Sequence, residues 1–186
     1  MNVFWNAPNA ITLGRIVACP LLLVYLVCNG PLASAVIGFG FLAVSLTDML
    51  DGYLARRAGT VTAAGKLLDP LADKLLVLTA LVVLVGSPGR LPWWGVPLVV
   101  AMVAREQAIT GLRAVASAEG VVIPAERLGK WKTGFQTAAI TFLLIHQPMF
   151  GISSVGVGML LLSIATALAV ASGYTYFSRY LAGRGR

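Results

Sequence analysis

The chain has 186 residues, of which 58% are hydrophobic and only 11% charged, whereas an average soluble domain carries about 25% charged residues; this composition excludes an ordinary water-soluble domain. The length allows one domain of about six spans at roughly 20 apolar residues each, which excludes a separate catalytic domain and puts any chemistry in or beside the helices. The formal charge of +7, from 14 Lys and Arg against 7 Asp and Glu, points to nucleic acid only if topology does not already explain the basic residues.

Apolar runs and their breakers predict an all-α integral membrane protein, a bundle of six transmembrane helices at about 11–28, 32–56, 67–85, 93–118, 133–145 and 152–180. The whole chain, 1–186, forms the single domain. The breakers are Asn29-Gly30-Pro31, then 59–65, 86–92, 119–129 and Gln147-Pro148. The first run continues to Val27 without a small-residue cleavage site, so it reads as a retained span and not a signal peptide. Cys19 and Cys28 lie nine residues apart on that one helix, too far along its axis to bridge. No internal repeat or low-complexity tract interrupts the pattern.

Basic residues in the connections set the orientation. Arg56, Arg57 and Lys66 follow the second segment, Arg113, Arg127, Lys130 and Lys132 the fourth, and Arg179, Arg184 and Arg186 lie toward the C-terminus; the other connections hold Arg90 alone. The positive-inside rule then places both termini, and the loops on the same side, in the cytoplasm of a multi-pass protein of the inner, cytoplasmic membrane. Arg15, Lys74 and Arg105 fall inside apolar segments where topology does not need them, which makes them functional candidates.

Four of the seven acids, Asp48, Asp51, Asp69 and Asp73, fall within 26 residues at the facing cytoplasmic ends of the second and third segments. Their i, i+3 and i, i+4 spacings give each helix a two-carboxylate edge. Asp48 and Asp73 both lie roughly 12 Å along their helices from the connecting loop, and Asp51 and Asp69 about 7 and 6 Å. As antiparallel neighbours the two helices would bring these carboxylates together at matched levels. Four such groups repel one another unless several are protonated or divalent cations sit between them, and hard oxygen ligands suit Mg2+ or Mn2+. Gly52 and Ala55 clear room beside the acidic face, Arg56 offers a planar fork for phosphate, Gly65 allows a second close approach, and Pro70 occupies the first turn of the third helix or kinks it.

The pattern Asp48-x2-Asp51-Gly52-x2-Ala55-Arg56-x8-Gly65-x3-Asp69-x3-Asp73 resembles the complete signature of the CDP-alcohol phosphotransferases, integral membrane enzymes of phospholipid synthesis. The likeness extends through Pro8-Asn9-x2-Thr12-x2-Arg15, Leu68-Asp69-Pro70-Leu71-Ala72-Asp73-Lys74, Arg105-Glu106 with Gly111-Leu112-Arg113, and Gly129-Lys130-x-Lys132-Thr133-x2-Gln136. It covers roughly residues 8–136; the last two helices match in hydropathy only. The resemblance implies transfer of the phosphatidyl group of CDP-diacylglycerol to an alcohol with release of CMP, glycerol 3-phosphate being the acceptor it favours and phosphatidylglycerol phosphate the product. It implies that Asp48, Asp51, Asp69 and Asp73 hold two divalent ions, Mg2+ or Mn2+. It also implies that Gly52, Ala55, Arg56 and Gly65 seat the CDP group, that Asp73 is the general base, and that the enzyme is a homodimer.

A dianionic acceptor needs a basic pocket, for which Arg105, Arg113, Lys130 and Lys132 are the candidates. The plainer reading of the last three is topology alone. Asn9, Thr12 and Arg15 are either contacts to the CDP-lipid diphosphate or an N-terminal interfacial anchor, Lys74 balances local charge, and Glu106 points away from Arg105. His146, with no second ligand nearby, reads as an interface residue; Trp5, Trp93, Trp94 and Trp131 suit aromatic belts. One alternative keeps the chemistry and changes the acceptor to inositol phosphate, serine or phosphatidylglycerol, which a donor-handling cleft does not separate. Another is a cation transporter, but that design puts acids near the midplane on broken helices, and here they cluster at one surface. Nucleic acid is disfavoured, because orientation and the basic pocket account for the cations.

Overall fold

Proline and glycine set the helix boundaries of this chain. The computed structural model describes residues 14, 17, 19–24, 28, 30–58, 63–120, 127–149 and 151–184, and gives the backbone without the side chains at 48–58, 63–70, 73, 127 and 183–184. Helix α1 runs Pro31–Ala58, starting on a proline whose missing N–H is not needed there. Helix α2 runs Ala63–Gly86. A 3-10 turn, Trp93–Gly95, leads into α3, Val96–Ala118, which has Pro97 in its first turn. Helices α4, Arg127–Ile145, and α5, Ser154–Arg184, complete the chain. Among the described residues the one extended pairing is a bridge between Met149 and Ile152 in the α4–α5 turn. Of the predicted first segment, Gly14, Val17, 19–22 and Val24 are described as helical.

The structure moves two of the expected boundaries. Helix α2 begins at Ala63, so Pro70 is its eighth residue and not part of its first turn; the Lys66 carbonyl there loses its usual helical donor. Helix α4 begins at Arg127, six residues before the expected start, so Lys130 and Lys132 belong to a helix and not to a loop. Arg113 lies within α3, inside the expected segment 93–118. Hydropathy marked the apolar part of each helix and missed the polar turns that extend it.

Helix α4 is central, packing against α1 on one side and α5 on another, while α3 packs on α5. Two glycines permit the crossings. A Cβ at Gly38 of α1 would lie 2.6 Å from Ile145 Cγ1 and 3.2 Å from the Thr141 carbonyl, and one at Gly158 of α5 would lie 2.7 Å from Leu143 Cγ. Leu76, Leu81, Leu84, Met102, Ile140, Leu143, Leu144 and Leu162 fill the shared core, and a smaller cluster joins Ile109, Leu112 and Ala116 of α3 to Tyr176 and Tyr180 of α5. Leu32, Val36, Val82, Val100, Leu160 and Val170 point outward, as expected of helices whose outer surface meets lipid.

Trp93–Ala118 and Ser154–Ala182 are long and apolar enough to cross a membrane. The apolar stretches of α1 and α2 are shorter, Pro31–Thr47 and Lys74–Gly86. The helices themselves, at 28 and 24 residues, extend about 42 and 36 Å. Among the described residues the fold is all-helical, with two helices long and apolar enough to cross a membrane.

Candidate active site

The four signature acids lie on continuous helix. Asp48 and Asp51, with Gly52, Ala55 and Arg56, occupy the last three turns of α1, and Gly65, Asp69 and Asp73 the first three of α2. Helical backbone on both sides gives each acidic pair one shared face. The donor set is four carboxylates, which fits a hard divalent cation and does not suit soft metals. Among the residues with described side chains, no group of three His, Cys, Asp or Glu forms a rival site. The side chains of Asp48, Asp51, Gly52, Ala55, Arg56, Gly65, Asp69 and Asp73, and Asn9, Thr12 and Arg15 entirely, lie outside what the structure describes.

Beside these helix ends is a cavity of about 650 Å³ with walls from all five helices. Arg105 and Arg113 of α3 and Lys130 and Lys132 of α4 all line it, as does Lys74, one residue beyond Asp73. Leu46, two residues before Asp48, lines it from α1. Five cations thus surround a space whose described walls carry one carboxylate, Glu106. Thr110, Thr133, Thr137 and Tyr176 add hydroxyls. A second cavity of about 90 Å³ lies behind the first and shares Lys74, Glu106, Lys132 and Thr133 with it.

The cations are held differently. Lys132 is buried, at 5% exposure, and its ammonium donates to Glu106 Oε1 across the α3–α4 contact. Arg105 donates from Nε to the Ala169 carbonyl at 3.0 Å, from Nη1 to Glu106 Oε1 at 3.0 Å, and from Nη2 to Ser172 Oγ at 2.7 Å. Arg105 therefore clamps α3 to α5, and Glu106 turns toward it, contrary to the expectation that the two side chains diverge. Arg113 reaches the Tyr176 hydroxyl at 3.3 Å and lies 5.3 Å from the ring centroid, a cation–π contact. Lys130 is exposed at the cavity edge. Lys74 donates to Thr110 Oγ1 at 2.5 Å, and that hydroxyl donates to the Glu106 carbonyl at 2.6 Å. Lys74 thereby ties the residue after Asp73 to the cavity wall.

Comparison with known proteins places this arrangement in context. The profile of the CDP-alcohol phosphatidyltransferases matches residues 5–171. The chain belongs to that family. A Bacillus subtilis CDP-diacylglycerol–glycerol-3-phosphate 3-phosphatidyltransferase is 38% identical over 187 residues, covering 94% of this chain and 95% of the relative. The protein of the same name from Rickettsia bellii is 35% identical, covering 95% and 96%. A rice cardiolipin synthase (CMP-forming) is 36% identical over 150 residues, covering 75% of this chain and 46% of the relative.

As a CDP-alcohol phosphatidyltransferase, the chain handles a charged donor and an alcohol, and the cavity offers cations and hydroxyls beside the acid-bearing helix ends. Glu106, Thr110 and Tyr176 are wall residues that sequence reasoning missed. Glu106, Thr110 and Arg113 recur at i, i+4 and i+7, one face of α3, so helical periodicity applied to polar residues would have found two of them. Tyr176 sits in an apolar helix and carried no such signal.

Proposed function

We propose that this phosphatidyltransferase transfers the phosphatidyl group of CDP-diacylglycerol to glycerol 3-phosphate, releasing CMP and forming phosphatidylglycerol phosphate. The observation that carries this reading is the convergence of Lys74, Arg105, Arg113, Lys130 and Lys132 on one cavity bordered by the acid-bearing helix ends. A dianionic phosphate needs such a surplus of cations, whereas serine does not. The near full-length relatives named for the same reaction support it further.

In this mechanism Asp48, Asp51, Asp69 and Asp73 hold two divalent ions, Mg2+ or Mn2+. When bound, these neutralise the donor diphosphate and stabilise charge developing at the attacked phosphorus. Gly52, Ala55 and Gly65 leave room for the cytidine group, and Arg56, with Asn9, Thr12 and Arg15, contacts the diphosphate. Arg113 and Lys130, at the cavity edge, take the acceptor phosphate, and Lys132 adds charge deeper in. Arg105 serves chiefly to hold the wall. Asp73 takes the proton from the attacking hydroxyl. The new oxygen–phosphorus bond forms on the phosphatidyl phosphorus, and the bond to CMP breaks with its electron pair leaving on CMP. Both termini and the site face the cytoplasm, the chain crosses the membrane six times, and it works as a homodimer.

A second reading has phosphatidylglycerol as acceptor, favoured by the match to the rice cardiolipin synthase. CMP release measured with glycerol 3-phosphate, inositol phosphate, serine and phosphatidylglycerol in turn separates the two. Release that saturates with glycerol 3-phosphate is expected; release with phosphatidylglycerol and none with glycerol 3-phosphate overturns the assignment.

A further inference from the structure

Both cations that reach the Glu106 carboxylate arrive at the same oxygen. Lys132 Nζ and Arg105 Nη1 donate to Oε1, and Oε2 has no partner among the described residues. The side chain is 25% exposed and borders both the large cavity and the small one behind it. A carboxylate paired with cations offers its remaining lone pairs only as acceptors. In a pocket built solely to attract phosphate, such a group works against the purpose. A ligand that carries hydroxyls as well as phosphate gives it a use.

The layout of α3 fits such a ligand. Arg113 lies seven residues from Glu106, about 10.5 Å along the helix, and with Lys130 marks the phosphate end of the cavity. Lys74, next to Asp73, lines the small cavity together with Glu106, whereas Arg113 lines only the large one, which places the Glu106 end nearer the reacting groups. An acceptor held by its phosphate at Arg113 and Lys130 therefore presents its hydroxyl end to Glu106.

We propose that Glu106 is a specificity-determining residue, its open carboxylate oxygen accepting a hydrogen bond from the acceptor hydroxyl that does not react. The enzyme then selects phosphorylated polyols with adjacent hydroxyls over phosphorylated mono-alcohols. This rests on the acceptor assignment proposed above.

The test compares kcat/KM for glycerol 3-phosphate and for 3-hydroxypropyl phosphate, which keeps the phosphate and the primary hydroxyl and lacks the second one. The full-length enzyme is assayed in detergent–lipid micelles with saturating CDP-diacylglycerol. Wild type is expected to prefer glycerol 3-phosphate by at least about tenfold, since a site built to bond a hydroxyl rejects the analogue lacking it. The variant E106Q, and the paired variant E106L/K132M that removes the lysine together with its partner, are expected to shrink that preference about tenfold through the glycerol 3-phosphate arm. A purely structural Glu106 would lower both acceptors together and leave the ratio unmoved, which overturns the proposal. So does a wild-type ratio near one, whether or not the variants fold. Wild type that releases no CMP with glycerol 3-phosphate overturns the acceptor assignment itself, and this proposal with it.

Discussion

Lys132 of α4 and Glu106 of α3 form an ion pair in the wall of the basic cavity, the lysine side chain 6% and the glutamate 25% exposed. Removing one member leaves the other as a poorly solvated charge, which costs roughly 3–5 kcal/mol when both are fully buried. Because Glu106 opens on the cavity, K132M is expected to lose less, about 2 kcal/mol. The paired variant E106L/K132M should recover much of that loss. Thermal midpoints of the two single variants and the double variant give the coupling directly; strict additivity would show that the pair does not hold α3 to α4.

Arg113 and Lys130 carry the phosphate-binding expectation without Lys132's structural burden. Charge-assisted hydrogen bonds contribute about 1.5–3 kcal/mol. R113A and K130A should each raise the KM for glycerol 3-phosphate about tenfold or more and leave the KM for CDP-diacylglycerol unchanged. Initial rates over a two-substrate grid check this. R113A also removes the contacts to Tyr176, so rescue by R113K should be partial, since lysine keeps the charge and loses the planar fork.

Much of this site is legible in the sequence because charge is so costly in an apolar chain. Asp48 and Asp73 stand out as acids in an apolar sequence, and both lie on continuous helix. Arg105, Arg113, Lys130 and Lys132 were recognisable as basic residues that could converge, and they line one cavity. Their division of labour was not legible. That Arg105 spends its N–H groups on Ala169, Ser172 and Glu106 depends on the α3–α5 crossing, which no local pattern encodes. The early start of α4 escaped notice because its first turns are polar and hydropathy weighs only the apolar part.

The assignment of Asp73 as general base makes a kinetic prediction. A positioned base contributes typically 10²–10⁴-fold, so D73N should lower kcat by at least about a hundredfold while CDP-diacylglycerol still binds. D48N and D51N, as cation ligands, should instead shift the Mg2+ or Mn2+ concentration needed for half-maximal rate upward. Chelation of wild type should abolish CMP release, and either cation should restore it. A D73N enzyme with wild-type kcat would remove Asp73 from the proton-transfer step.

Gly38 and Gly40 sit two residues apart on α1 and face different surroundings. A Cβ at Gly38 meets Ile145 Cγ1 at 2.6 Å and its backbone nitrogen at 3.1 Å, while one at Gly40 meets nothing within 4 Å among the described residues. G38A should therefore wedge α1 from α4 and destabilise by about 1–3 kcal/mol, the range for overpacking. G40A should stabilise by up to about 1 kcal/mol, from helix propensity alone. Opposite shifts in thermal midpoint are the expected result; equal ones would mean that α1 does not press on α4 at Gly38.

His146 ends the chain's central helix in a left-handed conformation, φ 60°, with its Nδ1 buried and unpartnered among the described residues. Burial and then the nearby Arg90 charge hold its pKa below the usual 6.5. The fold thus favours the neutral ring, and the unfolded chain binds the proton more readily. The histidine's contribution to stability is complete above about pH 6.5 and declines as pH falls toward the lowered folded value. H146N, whose side chain tolerates positive φ, should have a flatter thermal midpoint than wild type between pH 7.5 and 5.5. If the two profiles run parallel, protonation of His146 is not what destabilises the α4–α5 turn in acid.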